Sequence, residues 1–238
     1  MVPKHLAIIM DGNRRWARNH ALDIALGHNE GALNLKKICK ATANSYVDYL
    51  TVFAFSSENW TRSAKEIDAL MGLMRRFLMQ ETDELMAENV RLKIIGDRSV
   101  FAPDLRQLFD AVEQKTSRNT GLVLSIAVNY GGRQDIAQAV VALANQLRKG
   151  FEIPKERAVT AVKSHLMTQD LPDVDLLIRT GGEKRISNFL LWDASYAELY
   201  FSDKLWPDFK DEDLGLALDD YASRNRRFGG DTALRTVS

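Results

Sequence analysis

The sequence predicts a single α/β domain spanning residues 1–238, with a central, mostly parallel sheet of about six strands flanked by helices. Three observations predict it. Short apolar runs rich in Val, Ile and Leu alternate with longer stretches of helical periodicity, the pattern of buried parallel strands joined by crossover helices. No internal repeat, low-complexity tract or Pro/Gly/Ser linker divides the chain, and its five prolines are scattered. Polar, glycine-containing segments follow the C-terminal ends of the apolar runs, the edge at which open α/β sheets bind ligands.

The strand-like runs are Leu6–Met10, Tyr49–Phe55, Val90–Ile95, Leu122–Val128 and Val174–Ile178, with a weaker sixth at Glu198–Phe201. Helical patterns occupy about 30–44, 65–88, 103–117, 132–148 and 155–168. In the second of these, Ile67, Leu70, Met71, Met74, Phe77 and Leu78 recur at helical spacing. That apolar face reads either as core or as one wall of an apolar tunnel, a use that adaptable methionines suit.

Composition narrows the function classes. The 238 residues carry 32 Lys+Arg against 32 Asp+Glu, so no general basic excess marks a nucleic-acid binder. A lone Cys39 excludes a disulfide framework and a cysteine metal cluster. No apolar run approaches the roughly 18 residues of a membrane span. The opening Met1–His5 lacks a signal-peptide layout, so the expected location is the cytoplasm.

The chemistry-bearing residues cluster at the strand ends. Asp11-Gly12-Asn13-Arg14-Arg15-Trp16 joins a carboxylate, a turn-permitting glycine and two guanidiniums ahead of a helix start. Guanidiniums and free helix N–H groups suit an anion such as phosphate. A carboxylate among them suits a divalent metal shared with that phosphate. The other reading is an Asx-turn with solvated arginines. The Walker A spacing and the three-glycine dinucleotide fingerprint are both absent. Arg179-Thr-Gly-Gly-Glu-Lys-Arg185-Ile186-Ser187 is a second anion-site candidate or, alternatively, a basic surface loop. Ser56-Ser57-Glu58-Asn59-Trp60-Thr61-Arg62 offers hydrogen-bonding groups and a proton relay. His28 follows Gly27 and reads on its own as a helix-start residue. Glu198, in an otherwise apolar strand, either has a buried partner or metal or points outward on an edge.

In this order, these residues resemble the cis-prenyltransferase family. The matching segments are His5–Asn13, Gly27-His28, Phe55–Trp60 with Arg62, Ile95–Asp97, Asn129–Arg133, Arg179–Glu183, Arg185–Trp192, Trp206–Phe209 and Arg226–Gly230, nearly the whole chain. The resemblance implies condensation of farnesyl diphosphate with successive isopentenyl diphosphates, each adding a Z double bond, up to long-chain undecaprenyl diphosphate. A short-chain or branching synthase of the same fold is the alternative. It implies Asp11 and Asn59 as catalytic residues, Asn59 in proton acceptance, and Mg2+ held with help from Asp11 and Glu198. It implies an allylic diphosphate pocket from Gly12, Asn13, Arg14, Arg15 and His28, with Trp16 as a further substrate-binding residue. Arg179, Arg185, Ile186 and Ser187 would take isopentenyl diphosphate, beside Ser56, Ser57, Glu58, Trp60 and Arg62. The helix at 65–88 would line an apolar tunnel. A homodimer is implied, with residues 225–238 either flexible or at its interface, and with no nucleic-acid partner, no transmembrane segment and transient membrane contact for product release.

The chain departs from the family pattern at Arg14, commonly Gly; at Ile24, commonly Arg; at Lys184, commonly His; and at Asp193, commonly Gln. An apolar Ile24 cannot bind a diphosphate, so Arg14 or Arg18 would take over that role. Two other classes compete. A non-catalytic lipid-binding module would lack Asp11 and the 179–187 segment, and both are present. A nucleotide-binding enzyme would carry a phosphate-loop fingerprint.

Overall fold

His5–Ile9 forms the first strand, β1, and is buried along its whole length. Its side chains alternate between two cores, as a pleated strand requires: Leu6 and Ile8 join one apolar cluster, Ala7 and Ile9 the other. In the computed structural model, which describes residues 1–224, β1 lies inside a six-stranded sheet. The other strands are β2 (Tyr49–Ser56), β3 (Arg91–Ile95), β4 (Val123–Tyr130), β5 (Leu176–Arg179) and β6 (Glu198–Phe201). Their order is β3-β4-β2-β1-β5-β6, and every pairing is parallel.

Helices α1 (Asn13–Asn19), α2 (Ile24–Asn44), α3 (Ala64–Ala87), α4 (Pro103–Thr116), α5 (Gly132–Arg148), α6 (Ala158–Lys163) and α7 (Asp211–Ser223) complete the described chain. The larger core joins β1, β2, β3 and β4 to Leu35 and Ile38 of α2, Leu78 and Leu85 of α3, Phe109 of α4 and Tyr221 of α7. The smaller one packs Val174, Leu177, Phe189 and Leu190 against the other sheet face. No helix among the described residues is long and apolar enough to cross a membrane.

The strand order reverses beside β1: the chain leaves it for β2, β3 and β4 on one side and returns for β5 and β6 on the other. Such a switch point leaves a crevice at the C-terminal ends of the strands. Register sets what meets there, since Ile9 lies opposite both Phe53 and Arg179. Gly12 makes the turn out of β1 at φ 118, where a Cβ would stand 2.8 Å from Leu205 Cα. Gly27 lets α2 press on α1, since a Cβ there would stand 2.3 Å from the Asn13 carbonyl oxygen.

The sequence expectations differ from the structure at a few boundaries. Helix α2 begins at Ile24 rather than near 30, because the Asp23 carboxylate accepts the Ala25 N–H at 2.8 Å. Leu26 and Leu33 are exposed, which blurs the apolar stripe that marks a helix. The expected helix at 155–168 contracts to one 3-10 turn, Lys155–Arg157, followed by α6. Helix α7 was not expected, although Leu214, Ala217 and Tyr221 fall at helical spacing and are buried. The expectation for 225–238, with Arg226, lies outside the described residues.

Two outcomes follow from the packing. Leu124 is wholly buried, so Leu124→Ala is expected to cost about 2–5 kcal/mol in urea unfolding. The exposed Val141 is the control, and Val141→Ala is expected to change stability by no more than about 0.5 kcal/mol. His5 is buried, its Nδ1–H donating to the Pro172 carbonyl at 2.8 Å while Nε2 accepts the Thr51 hydroxyl at 2.8 Å. Burial pushes its pKa down to about 4. The unfolded imidazole takes its proton near pH 6.5, so this stability is complete above about 6.5 and is lost as the pH falls toward 4. The loss is about 3 kcal/mol. Unfolding measured from pH 7 to 4 should show a shallower decline in His5→Gln than in the wild type.

Candidate active site

Arg179, the last residue of β5, reaches across the crevice and is 4% exposed. Its Nη2 donates to Asp11 Oδ2 at 2.8 Å; its Nη1 donates to the Arg185 carbonyl at 2.6 Å and to Ser187 Oγ at 2.7 Å. Its Nε is buried with no partner among the described residues. The Thr180 hydroxyl donates to the Asp11 carbonyl at 2.7 Å. One guanidinium thus ties the loop after β1 to the loop after β5, and holds a spare donor that an anion would satisfy. On the other side of Asp11, Arg15 Nη2 lies 3.3 Å from Oδ1.

Three hollows meet here. A polar cavity of about 620 Å³ is lined by Asp11, Ser56, Glu58, Asn59, Arg62, Arg179 and Ser187, among others. Beside it, a pocket of about 290 Å³ is walled by Asp11, Gly12, Asn13, Arg14, Arg15, Arg18, His28 and Arg62. Beneath α3, an apolar recess of about 100 Å³ is lined by Leu70, Leu73, Met74, Phe77 and Leu78, with Ala54, Phe55 and Trp206. Met10, Asn13 and His28 line all three. The apolar face of α3 therefore fronts a recess, where an open tunnel was expected.

Glu66 is the functional residue that sequence reasoning missed. Its Oε1 accepts from Arg62 Nη1 at 3.0 Å and stands 3.4 Å from His28 Nε2 and 3.7 Å from Arg14 Nε. The signal was present as Ser63-x-x-Glu66, but that spacing reads first as a helix capping box. Ser63 does cap α3, accepting the Glu66 N–H at 3.3 Å, while the Glu66 carboxylate turns to the cations. Burial lowers the His28 pKa and Arg62 adds to this, with Glu66 opposing, so the imidazole is neutral near pH 7. Burial likewise lowers the Arg62 pKa.

The Asn59 amide oxygen accepts the Ser56 N–H at 3.1 Å, closing the turn after β2. Glu58 Oε1 accepts from Asn188 Nδ2 at 2.9 Å. Burial acts to raise the Glu58 pKa, but hydrogen bonds, first among them that from Asn188, outweigh it and leave the carboxyl below its ordinary range.

Several other expected substrate residues do not line these hollows. Trp16 donates to Asp208 Oδ1 at 2.9 Å and stacks on His20 at 4.1 Å between ring centroids. Trp60 donates to Asn129 Oδ1 at 2.8 Å and meets Phe55 edge-on. Neither lines the hollows. Ile186 packs against the smaller core, and Ser57 Oγ is buried without a partner. The Arg185 side chain is mostly exposed and pairs with Glu183, its carbonyl alone touching Arg179. Ile24 lines a side recess with Ser63, Lys65 and Glu66, while Arg14 and Arg18 flank Asp11.

The expected pairing of Glu198 with Asp11 about a metal is not met within one chain. Register places Glu198 opposite Leu176, the first residue of β5, whereas Asp11 lies beyond the other end of the sheet. On that edge strand Glu198 accepts from Arg224 Nη1 at 2.7 Å. Among the described residues no three His, Cys, Asp or Glu side chains converge as a metal cage. A single carboxylate opening on an arginine-lined pocket fits Mg2+ in the form where substrate phosphates complete the coordination.

A crevice with two arginine-rich bays beside an apolar recess suits a substrate with an anionic head and an apolar tail. The chain matches, over residues 9–229, the family described as "Putative undecaprenyl diphosphate synthase". It is similar to the ditrans,polycis-undecaprenyl-diphosphate synthase ((2E,6E)-farnesyl-diphosphate specific) of Pseudomonas syringae pv. tomato, 51% identical over 96% of this chain and 91% of that one. The Escherichia coli K12 enzyme of the same description is 49% identical over 95% of this chain and 90% of its own. Among solved structures, lavandulyl diphosphate synthase from Lavandula x intermedia, in complex with dimethylallyl diphosphate, has a TM-score of 0.93 at 37% identity, covering 96% of this chain and 98% of its own. A probable undecaprenyl diphosphate synthase from Campylobacter jejuni has a TM-score of 0.78 at 35% identity, covering 95% and 98%. The chain belongs to the undecaprenyl diphosphate synthase family and is a cis-prenyltransferase.

Asp11→Asn keeps an oxygen for Arg179 and removes the charge. Prenyl transfer is expected to fall by roughly a hundredfold to a thousandfold, and the thermal unfolding midpoint to fall as well, because the buried Arg179 loses its counter-charge. Retained wild-type turnover would contradict the role of the carboxylate.

Proposed function

We propose that this protein joins isopentenyl diphosphate to farnesyl diphosphate and repeats the step, each addition creating a Z double bond, to make undecaprenyl diphosphate, the lipid carrier for cell-wall glycans. One observation carries the reading: the two arginine-rich bays and the apolar recess share Met10, Asn13 and His28, so the sites for a charged head and for the start of an apolar tail adjoin. The farnesyl specificity in the names of the Pseudomonas and Escherichia relatives supports the primer. The enzyme would act in the cytoplasm as a Mg2+-dependent homodimer, touching the membrane to release its product.

The chemistry assigns roles. The allylic C–O bond breaks and the diphosphate leaves; the isopentenyl double bond attacks the allylic carbon; a proton is lost from the new cation. Gly12, Asn13, Arg14, Arg15 and neutral His28 hold the allylic head. Arg179 and Ser187, with Arg185 beside them, receive the isopentenyl head. Asp11 would hold Mg2+, and the ion would supply positive charge against the departing diphosphate. A neutral amide is a poor base, and the Asn59 oxygen already holds the Ser56 N–H, so the departed diphosphate takes the proton while Asn59 shapes the turn.

The recess of about 100 Å³ favours a second reading, a short-chain synthase that stops early. Product analysis with radiolabelled isopentenyl diphosphate and farnesyl diphosphate separates the two. A ladder reaching undecaprenyl diphosphate is expected, and a product that stops after one addition would replace the first reading with the second.

A further inference from the structure

Arg133, at the start of α5, lines the polar cavity on the same side as Ser187 and Asn188. It does not line the pocket formed by Arg14, Arg15 and Arg18. Its backbone is pinned: the Arg133 N–H donates to Asn188 Oδ1 at 2.9 Å, and the Gly132 N–H donates to the Asn188 carbonyl at 2.7 Å. Asn188 is itself fixed, its Nδ2 donating to Glu58 Oε1 at 2.9 Å and to Gln134 Oε1 at 3.1 Å. There is no slack beside it, since a Cβ on Gly131 would stand 2.7 Å from Asn188 Nδ2. Ser187 and Asn188 both take positive φ, 48° and 62°. Backbone held in that region by surrounding bonds is what functional sites show.

The charges around this bay are unevenly matched. Arg179 pairs with Asp11, Arg185 with Glu183 and Arg62 with Glu66. The Arg133 guanidinium has no acid partner among the described residues. Glu58 stands in the same wall as a carboxylate and would repel a diphosphate. A bay that must take a second diphosphate beside the first therefore depends on a cation that no protein acid has neutralised.

We propose that Arg133 is a further diphosphate-binding residue of this cavity, taking the head group of the non-allylic substrate, and that Asn188 positions it. This rests on the function proposed above for the two bays.

The test compares Arg133→Gln and Arg133→Lys with the wild type in steady-state kinetics. Arg133→Gln is expected to raise KM for isopentenyl diphosphate by roughly tenfold to a hundredfold, the range for loss of a charge-assisted hydrogen bond. KM for farnesyl diphosphate should move less than about twofold, a split that a merely structural role would not produce, and Arg133→Lys should recover much of the loss. An unchanged KM for isopentenyl diphosphate, or equal rises for both substrates, would overturn the proposal. Calorimetric titration with isopentenyl diphosphate alone reads the same interaction without turnover. About tenfold weaker binding in Arg133→Gln is expected, and equal binding would overturn it. If the wild type binds isopentenyl diphosphate but elongates nothing, the proposed function fails while this assignment is still decided by the titration.

Discussion

The site depends on one buried guanidinium. Arg179 is almost wholly withdrawn from water and bonds to the Asp11 carboxylate, the Arg185 carbonyl and the Ser187 hydroxyl. A buried charge is tolerated only when paired and hydrogen-bonded. That requirement fixes the loop after β1 and the loop after β5 relative to each other. The parallel register serves the same end, since Ile9 beside Arg179 delivers acid and base to one edge of the sheet.

Around this tie the cations are held in reserve by carboxylates. Glu66 gathers Arg14, Arg62 and His28 on the α3 side, and Asp11 occupies Arg15 and Arg179. Like charges so close would otherwise repel and splay the crevice before substrate enters. Under the proposed function, substrate phosphates would compete with these internal acids, and binding would exchange one set of ion pairs for another in a partly dry site, where such pairs are stronger than in water. The recess under α3 adjoins these charges through Met10, Asn13 and His28, which puts the boundary between wet and dry at the reacting end of an amphiphilic substrate.

Much of the fold was legible along the chain. All six strands fell where apolar runs stood; the inner ones, buried on both faces, read as runs rich in Val, Ile and Leu, and β6, a partly exposed edge strand, was the weaker run. Helix α3 was legible from its stripe. The start of α2 was not, because Leu26 and Leu33 lie on its solvent side and break the pattern. Within the site, Asp11, Arg15, Arg62, Arg179 and Ser187 were singled out from local motifs, His28 by the family resemblance, and all meet in the crevice. Trp16 and Trp60 lay in the same motifs yet brace loops outside it, since a neighbour in sequence need not face the same way.

The sequence by itself determined the β-α alternation, the polar strand ends and the local clusters of arginine hidden within a zero net charge, because periodicity and turn chemistry are properties of neighbouring residues. Only the tertiary structure decided which clusters meet. It brought Glu66 to two arginines and His28 from a position that reads as a helix cap. It left Arg133 beside Asn188 without an acid among the described residues, and it sent Glu198 to the far end of the sheet beside Arg224. These outcomes depend on strand order and register, which bring together residues more than a hundred positions apart, and no local pattern encodes them.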